Sequence, residues 1–311
     1  MKIQYDPALM EEVISLAVKR GEERGDLRLF QEYHTLADAL YERFSSERRE
    51  EAFLKLHRTL FQKWGFSEPI ARALEEFPEV GGLVREIFVA RALAKKEEGA
   101  DLSQDRRSVG IKVRSERFLE AKGLRRFLRH ELQHIADMLD PTFDSIPQEI
   151  LASSPMEENL IKDRYRALWA ISVDGRLSKG GKETIASKEE RWREFEALYW
   201  KIPSPQRLAI FDHLWEGKFL THREILAMAK DPAVLLQRAG AATDNECPPK
   251  KVLLPGSPCP LCCFPTYLWV EEFDEVVIEQ IKRDFPGWGP EEAACGRCVE
   301  VYSLSAQPLA F

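Results

Sequence analysis

Apolar positions recur at three- and four-residue spacing through residues 7–96, the signature of consecutive amphipathic helices. Met10, Val13, Ile14 and Ala17 form one stripe, Leu36, Ala39, Leu40 and Phe44 a second, and Phe53, Leu54, Leu56, Leu60 and Phe61 a third. Gly25-Asp26, Ser45-Ser46 and Gly65-Phe66-Ser67 separate them, as turn-forming residues do. Residues 99–105 form a polar break, and residues 108–114 alternate apolar and polar positions, which predicts a half-buried strand. The free edge of such a strand can pair with an extended peptide. Residues 121–139 contain no proline and read as one helix, stopped by Asp140-Pro141 because the residue before proline is pushed out of the helical region.

Beyond a loop containing Pro147 and Pro155, residues 156–173 predict another helix, ended by Asp174-Gly175. Residues 178–182 read as a loop and 189–200 as a helix, while Thr221 and Glu224 have capping-box spacing for a helix through Ile225 and Ala229. Residues 241–258 are rich in Pro, Gly, Asn and Lys and read as a linker. After it, residues 265–270 and 299–304 look strand-like around a helix at 274–283. The pattern predicts a mainly α (α+β) chain in four parts: a helical segment 1–105, a metal-helix segment 106–240 with little sheet, the linker 241–258, and a small cysteine-bearing module 259–311.

A length of 311 residues suits more than one domain, and 44% hydrophobic with 31% charged residues is a globular composition. No apolar run approaches the roughly 20 residues of a membrane span, and the start lacks the apolar core of a signal peptide. These features predict a cytoplasmic protein without membrane contact. The net charge of −7 argues against a strong electrostatic grip on nucleic acid. The runs Arg106-Arg107 and Arg125-Arg126-Arg129 read first as solvated faces.

The predicted helix 121–139 carries His130-Glu131-Leu132-Gln133-His134, an H-E-x-x-H run. Residues four apart stand one turn above each other, so both imidazoles face one point and can share a metal ion. On a wheel, Leu124, Phe127, Leu128, Leu132, Ile135, Met138 and Leu139 form an apolar arc opposite Arg125, Arg126, Arg129 and Gln133, with both histidines on the border, where the rim of a cleft needs them. Glu131 would lie beside the metal, able to take a proton from bound water. His34 and His57 lack such spacing and read as structural or exposed, and the capping box gives His222 a plain surface reading. The second motif is Cys259-x-x-Cys262 with Cys295-x-x-Cys298, two knuckles suited to one closed tetrahedral zinc site. The reading is thus two zinc ions, one catalytic and one structural. Cys263 and Cys247 are extra thiols.

His130-Glu131-x-x-His134 resembles the zincin metallopeptidases, and the four cysteines resemble a zinc ribbon; a zincin part followed by a ribbon is an arrangement similar to that of SprT-like proteases. The resemblance implies a zincin-like core in which His130 and His134 ligate zinc and Glu131 is the general base that also passes a proton to the leaving amine. It implies a peptide or protein substrate, with Arg or Tyr side chains, Tyr165 among them, polarising the scissile carbonyl, and a ribbon that recruits substrate or a protein partner. A third ligand is sought among Glu157, Asp140 and Asp137. Glu157 follows His134 by 23 residues, a separation resembling that of gluzincins, on a helix that Pro155 can start. It is preferred as ligand, although pairing with Arg164 would explain it equally well. Asp140, six residues after His134, is the next choice. Asp137 stands about 10.5 Å along the helix axis from His130 at ~1.5 Å per residue, a distance better suited to a hydrogen bond onto an imidazole than to ligation.

Overall fold

A computed structural model describes residues 1–144, 155–199, 202–216, 219–238 and 255–306, with the backbone alone for 155–157, 232–233 and 305–306. The chain is mainly α-helical with small sheets. By contacts it divides into two compact units, Met1–Asp144 with Gly181–Ile185, and Ser145–Gly180 with Ala186–Phe311. The expected loop at 145–154, most of the expected linker (241–254) and Cys247 lie outside the described residues.

The first unit begins with β1 (Lys2–Tyr5) and continues through α1 (Pro7–Glu23), α2 (Arg28–Arg43), α3 (Ser46–Lys63), α4 (Glu68–Glu75) and α5 (Pro78–Leu83). Asp6 starts α1 by accepting from the Ala8 N–H, with Pro7 in the first turn, where its missing donor costs nothing. Then follow β2 (Glu86–Arg91), β3 (Gly99–Leu102), β4 (Ser108–Val113) and α6 (Ala121–Leu139). The strands form one sheet in the order β1-β2-β4-β3, with β1, β2 and β4 parallel and β3 antiparallel at an edge.

Two expectations for this region need correction. The helical reading of residues 7–96 fails at β2, a strand paired on both sides, whose apolar run continues into Ala92 and Leu93 and so resembles helical spacing as much as strand spacing. The polar break at 99–105 contains β3, a short edge strand, where exposed polar residues are usual. The strand at 108–114 appears as β4, but β2 and β3 occupy both its edges; the edge strands of the sheet are β1 and β3. Ile87, Val89, Val109, Ile111 and Val113 are buried while Glu86, Phe88, Gly110 and Lys112 are exposed. The buried face joins α1 residues Leu9, Val13 and Ile14 and α6 residues Leu124, Phe127, Leu128, Leu132 and Ile135 in the core. Helix α6 packs on β3, α4 and α5.

The second unit carries α7 (Pro155–Lys179), α8 (Lys188–Leu198), α9 (Ser204–Trp215), α10 (His222–Lys230) and α11 (Pro232–Arg238) around Leu168, Ile171, Phe195, Phe211 and Ile225. Capping boxes start α8 at Ser187 and Glu190 and α10 at Thr221 and Glu224. Asp174-Gly175 does not end α7. A Cβ at position 175 would lie 2.1 Å from the Trp215 carbonyl oxygen, so glycine permits α7 and α9 to cross in near contact. Asp174, fully buried, accepts from Arg191 Nε at 2.7 Å.

The cysteine module follows, with β5 (Ser257–Pro258) paired to β6 (Pro265–Thr266), β7 (Trp269–Val270) paired to β8 (Ala294–Cys295), α12 (Glu275–Asp284) between the pairs, and α13 (Gly296–Ala306). The second strand-like run, residues 299–304, is helical in α13. Val299 and Tyr302, three residues apart, pack on one core with Val277, Ile281 and Trp288. No helix among the described residues is long and apolar enough to cross a membrane.

Candidate metal centres

Helix α6 presents His130 and His134 as the sequence predicts. Their Nε2 atoms lie 3.1 Å apart with the rings at 86°. Two nitrogens on one tetrahedral zinc at about 2.0–2.1 Å each stand about 3.3–3.4 Å apart, so the pair is spaced to share a cation. His130 is buried and His134 half-buried, in keeping with their border position on the wheel.

Glu131 Oε2 accepts the Ala100 N–H of β3 at 2.9 Å. Burial, the largest influence, pushes the Glu131 carboxyl above its usual range; His130 and the Ala100 N–H oppose this, and Asp101 and Glu98 add to it. Just before β3, Glu98, whose side chain is largely enclosed, accepts from Arg117 Nε and Nη2 at 2.6 and 2.8 Å and from the Arg114 N–H at 3.1 Å. Burial alone would raise its pKa, but these cationic and backbone donors hold the carboxyl below its ordinary value. The pairing ties the start of β3 to the segment leading into α6, fixing the strand whose N–H meets Glu131. The sequence carried no motif for Glu98, Ala100 or Arg117, since their link to Glu131 arises only through strand pairing.

The candidate third ligands have different surroundings. Asp140 Oδ1 accepts from both the Thr142 N–H and Thr142 Oγ1 at 2.7 Å, bonds that hold its pKa down and start the turn after α6. Asp137 is buried and accepts from Gln133 Nε2 at 3.1 Å. The Glu157 side chain lies outside the described residues. Arg164, the alternative partner for Glu157, is buried and donates to the Ala229 carbonyl at 3.5 Å. The Tyr165 hydroxyl meets His222 Nδ1 at 2.9 Å, giving half-buried His222 a tertiary contact in place of the plain surface position expected for it.

The four module cysteines come together. Their sulfurs lie within 4.8 Å of one another, with Cys262 and Cys295 at 3.7 Å and Cys259 and Cys298 at 4.0 Å. Sulfurs on one tetrahedral zinc at about 2.3 Å stand roughly 3.75 Å apart, whereas a disulfide needs about 2.05 Å. The first knuckle closes with Cys263 at φ 58°, its N–H on the Cys259 carbonyl at 2.8 Å. Cys295 N–H points at Cys259 Sγ and Cys298 N–H at Cys295 Sγ, both at 3.4 Å. Burial raises the Cys259 thiol pKa, but donors from Cys262, Cys295 and Leu261 outweigh it and lower the value; Cys298 is pushed up by burial and by neighbouring sulfurs. A cation removes that conflict by allowing every sulfur to ionise. Among the described residues, this is the only group of three or more His, Cys, Asp or Glu side chains placed to hold a metal ion.

These features define a mainly α-helical protein with a four-cysteine centre able to hold a metal ion. Comparisons with protein-family models, with curated proteins and with solved structures found no match.

Proposed function

We propose that the protein is a zinc-dependent peptidase with its reacting centre at His130, Glu131 and His134. The observation carrying this reading is the convergence of the two imidazole Nε2 atoms at 3.1 Å beside a carboxylate held by an edge strand. A zinc ion there supplies a Lewis acid and a water of lowered pKa. With that ion held by His130 and His134, Glu131 would accept a proton from the attacking water and pass it to the departing amine. Burial favours this role by raising the carboxyl pKa, which makes the carboxylate a stronger base.

Strand β3 gives the substrate a place. The Ser103 N–H bonds to the Ser108 carbonyl, and antiparallel alternation then turns the main-chain groups of Ala100 and Leu102 away from β4. Glu131 uses the Ala100 N–H, leaving the Ala100 carbonyl and both Leu102 groups for an extended peptide. Glu157 is the proposed third ligand. Glu157→Ala should cost one of two zinc ions per chain in metal analysis and spare the cysteine-bound ion; retention of both, with full activity, would exclude it. The four-cysteine module holds the structural zinc and recruits substrate or partner. Its thiols suit a reducing compartment such as the cytoplasm.

A second reading, a non-enzymatic zinc protein acting through that module, draws support from the four-cysteine group being the only three-ligand cluster among the described residues. Hydrolysis of denatured protein with and without chelator separates the two.

A further inference from the structure

The cysteine module carries an apolar groove of about 720 Å³ beside its metal centre, within the usual range for a binding cleft. Phe264, Tyr267, Leu268, Phe285, Val301 and Tyr302 line it. Leu268 is 79% exposed and Phe264 and Tyr267 are each 67% exposed, although Val277, Ile281 and Trp288 next to them form a well-buried core. Large apolar side chains left open around one cleft mark a surface that a partner covers.

Charge decides what kind of partner. Residues 255–306 contain nine Asp and Glu against three Lys and Arg, so six of the chain's seven net negative charges fall here. Cys262, Cys295 and Cys298 belong to the groove wall, and four thiolates around a divalent ion leave that wall with a formal charge of about −2. Asp284 accepts from the Tyr302 hydroxyl at 2.9 Å, which puts a carboxylate at the rim, and exposed Glu300 precedes Val301. Arg297, exposed on α13, is the one basic residue in the lining and is outnumbered by these groups. The aromatic faces of Phe264, Tyr267 and Tyr302 also suit cationic groups.

We propose that this groove docks a protein segment with aliphatic or aromatic anchors flanked by Lys or Arg. The proposal rests on the reading of the module as a recruiting element and names its partner class; it does not depend on peptide hydrolysis. The test is fluorescence anisotropy on the full zinc-loaded chain with three labelled peptides: leucine anchors flanked by lysine, the same anchors flanked by glutamate, and lysine with serine in place of leucine. The lysine–leucine peptide should bind most tightly, and Leu268→Asp should weaken it by about tenfold or more. Arg297→Glu should tighten it by about threefold at low salt, with on-rate most affected. Zinc content of each variant shows that its module remains folded.

Equal or tighter binding of the glutamate peptide would overturn the proposal, as would weaker binding on Arg297→Glu. Equal binding of the lysine–serine peptide would reduce the groove to a simple charge effect and also overturn it. If no peptide binds and Leu268→Asp instead abolishes self-association in sedimentation, the groove is a contact between copies and the proposal fails. Binding by none of these routes rejects it as well. Failure of the peptidase reading shows separately, as absence of hydrolysis with peptide binding intact.

Discussion

Glu98 illustrates how a carboxylate far from any motif can fix the strand whose N–H meets Glu131. Its side chain is 4% exposed and its principal partner is Arg117. Without Arg117 the Arg114 guanidinium, 3.4 Å from Glu98, remains as a partial counter-charge, so Arg117→Ala should destabilise the first unit by about 1.5–3 kcal/mol in denaturant unfolding at neutral pH, the range for hydrogen bonds to a charged group. The effect depends on pH with a definite sign. The folded Glu98 carboxyl titrates below its unfolded value of about 4.3. Its stabilisation is therefore complete above that value and is lost as pH falls through the lower folded value. The Arg117→Ala penalty should shrink below about pH 4; a penalty independent of pH would show that the pair acts through packing alone. At this scale the sequence was informative where spacing encodes geometry. Four-residue separation on an uninterrupted helix placed the two histidines, and two C-x-x-C knuckles placed four sulfurs. It was silent on Glu98, Ala100 and Arg117, which are 33, 31 and 14 residues before Glu131 and reach it only through folded strand geometry.

Helix α7 shows what an element needs beyond local propensity. Asp174-Gly175 has the composition of a helix end, yet the helix continues because Asp174 is paired with Arg191 and Gly175 lies against the Trp215 backbone. Gly175→Ala should destabilise the second unit by about 3 kcal/mol, the cost of overpacking against backbone that cannot swing aside, although alanine is the better helix former by nearly 1 kcal/mol. A stabilised variant in thermal unfolding would contradict the close crossing of α7 and α9. Strands β2 and β3 were hidden for different reasons. In residues 86–91 buried Ile87 and Val89 alternate with exposed Glu86 and Phe88, but Phe88 and Ala90 are apolar as well, so period two is blurred in the sequence; residues 99–102, Gly99-Ala100-Asp101-Leu102, form an edge strand too short to show a period. Residues 299–304 alternate like a strand, but packing of Val299 and Tyr302 on the module core selects the helix. Local pattern located the long amphipathic helices and the clearly alternating strand β4, and misassigned elements whose environment was set by distant partners.

At the scale of the whole molecule, the mainly helical class was readable from the sequence, and the four-stranded sheet of the first unit was largely not. The two units make separate tests possible. Thiolate zinc sites contribute folding free energy directly, so Cys262→Ser should release one zinc and expose the cysteine module to proteolysis, with the first unit still resistant. Full zinc content and unchanged protease resistance would contradict a structural role for that centre. The central claim concerns the other unit, and the most direct measurement compares hydrolysis of a denatured protein by the zinc-loaded wild type and by Glu131→Gln. The amide has nearly the same shape but cannot take a proton, so the variant should keep two zinc ions per chain while hydrolysis, chelator-sensitive in the wild type, falls by a factor of about 10² to 10⁴. Wild-type protein that cleaves nothing with both ions bound, or a variant that cleaves as fast as wild type, would contradict the account.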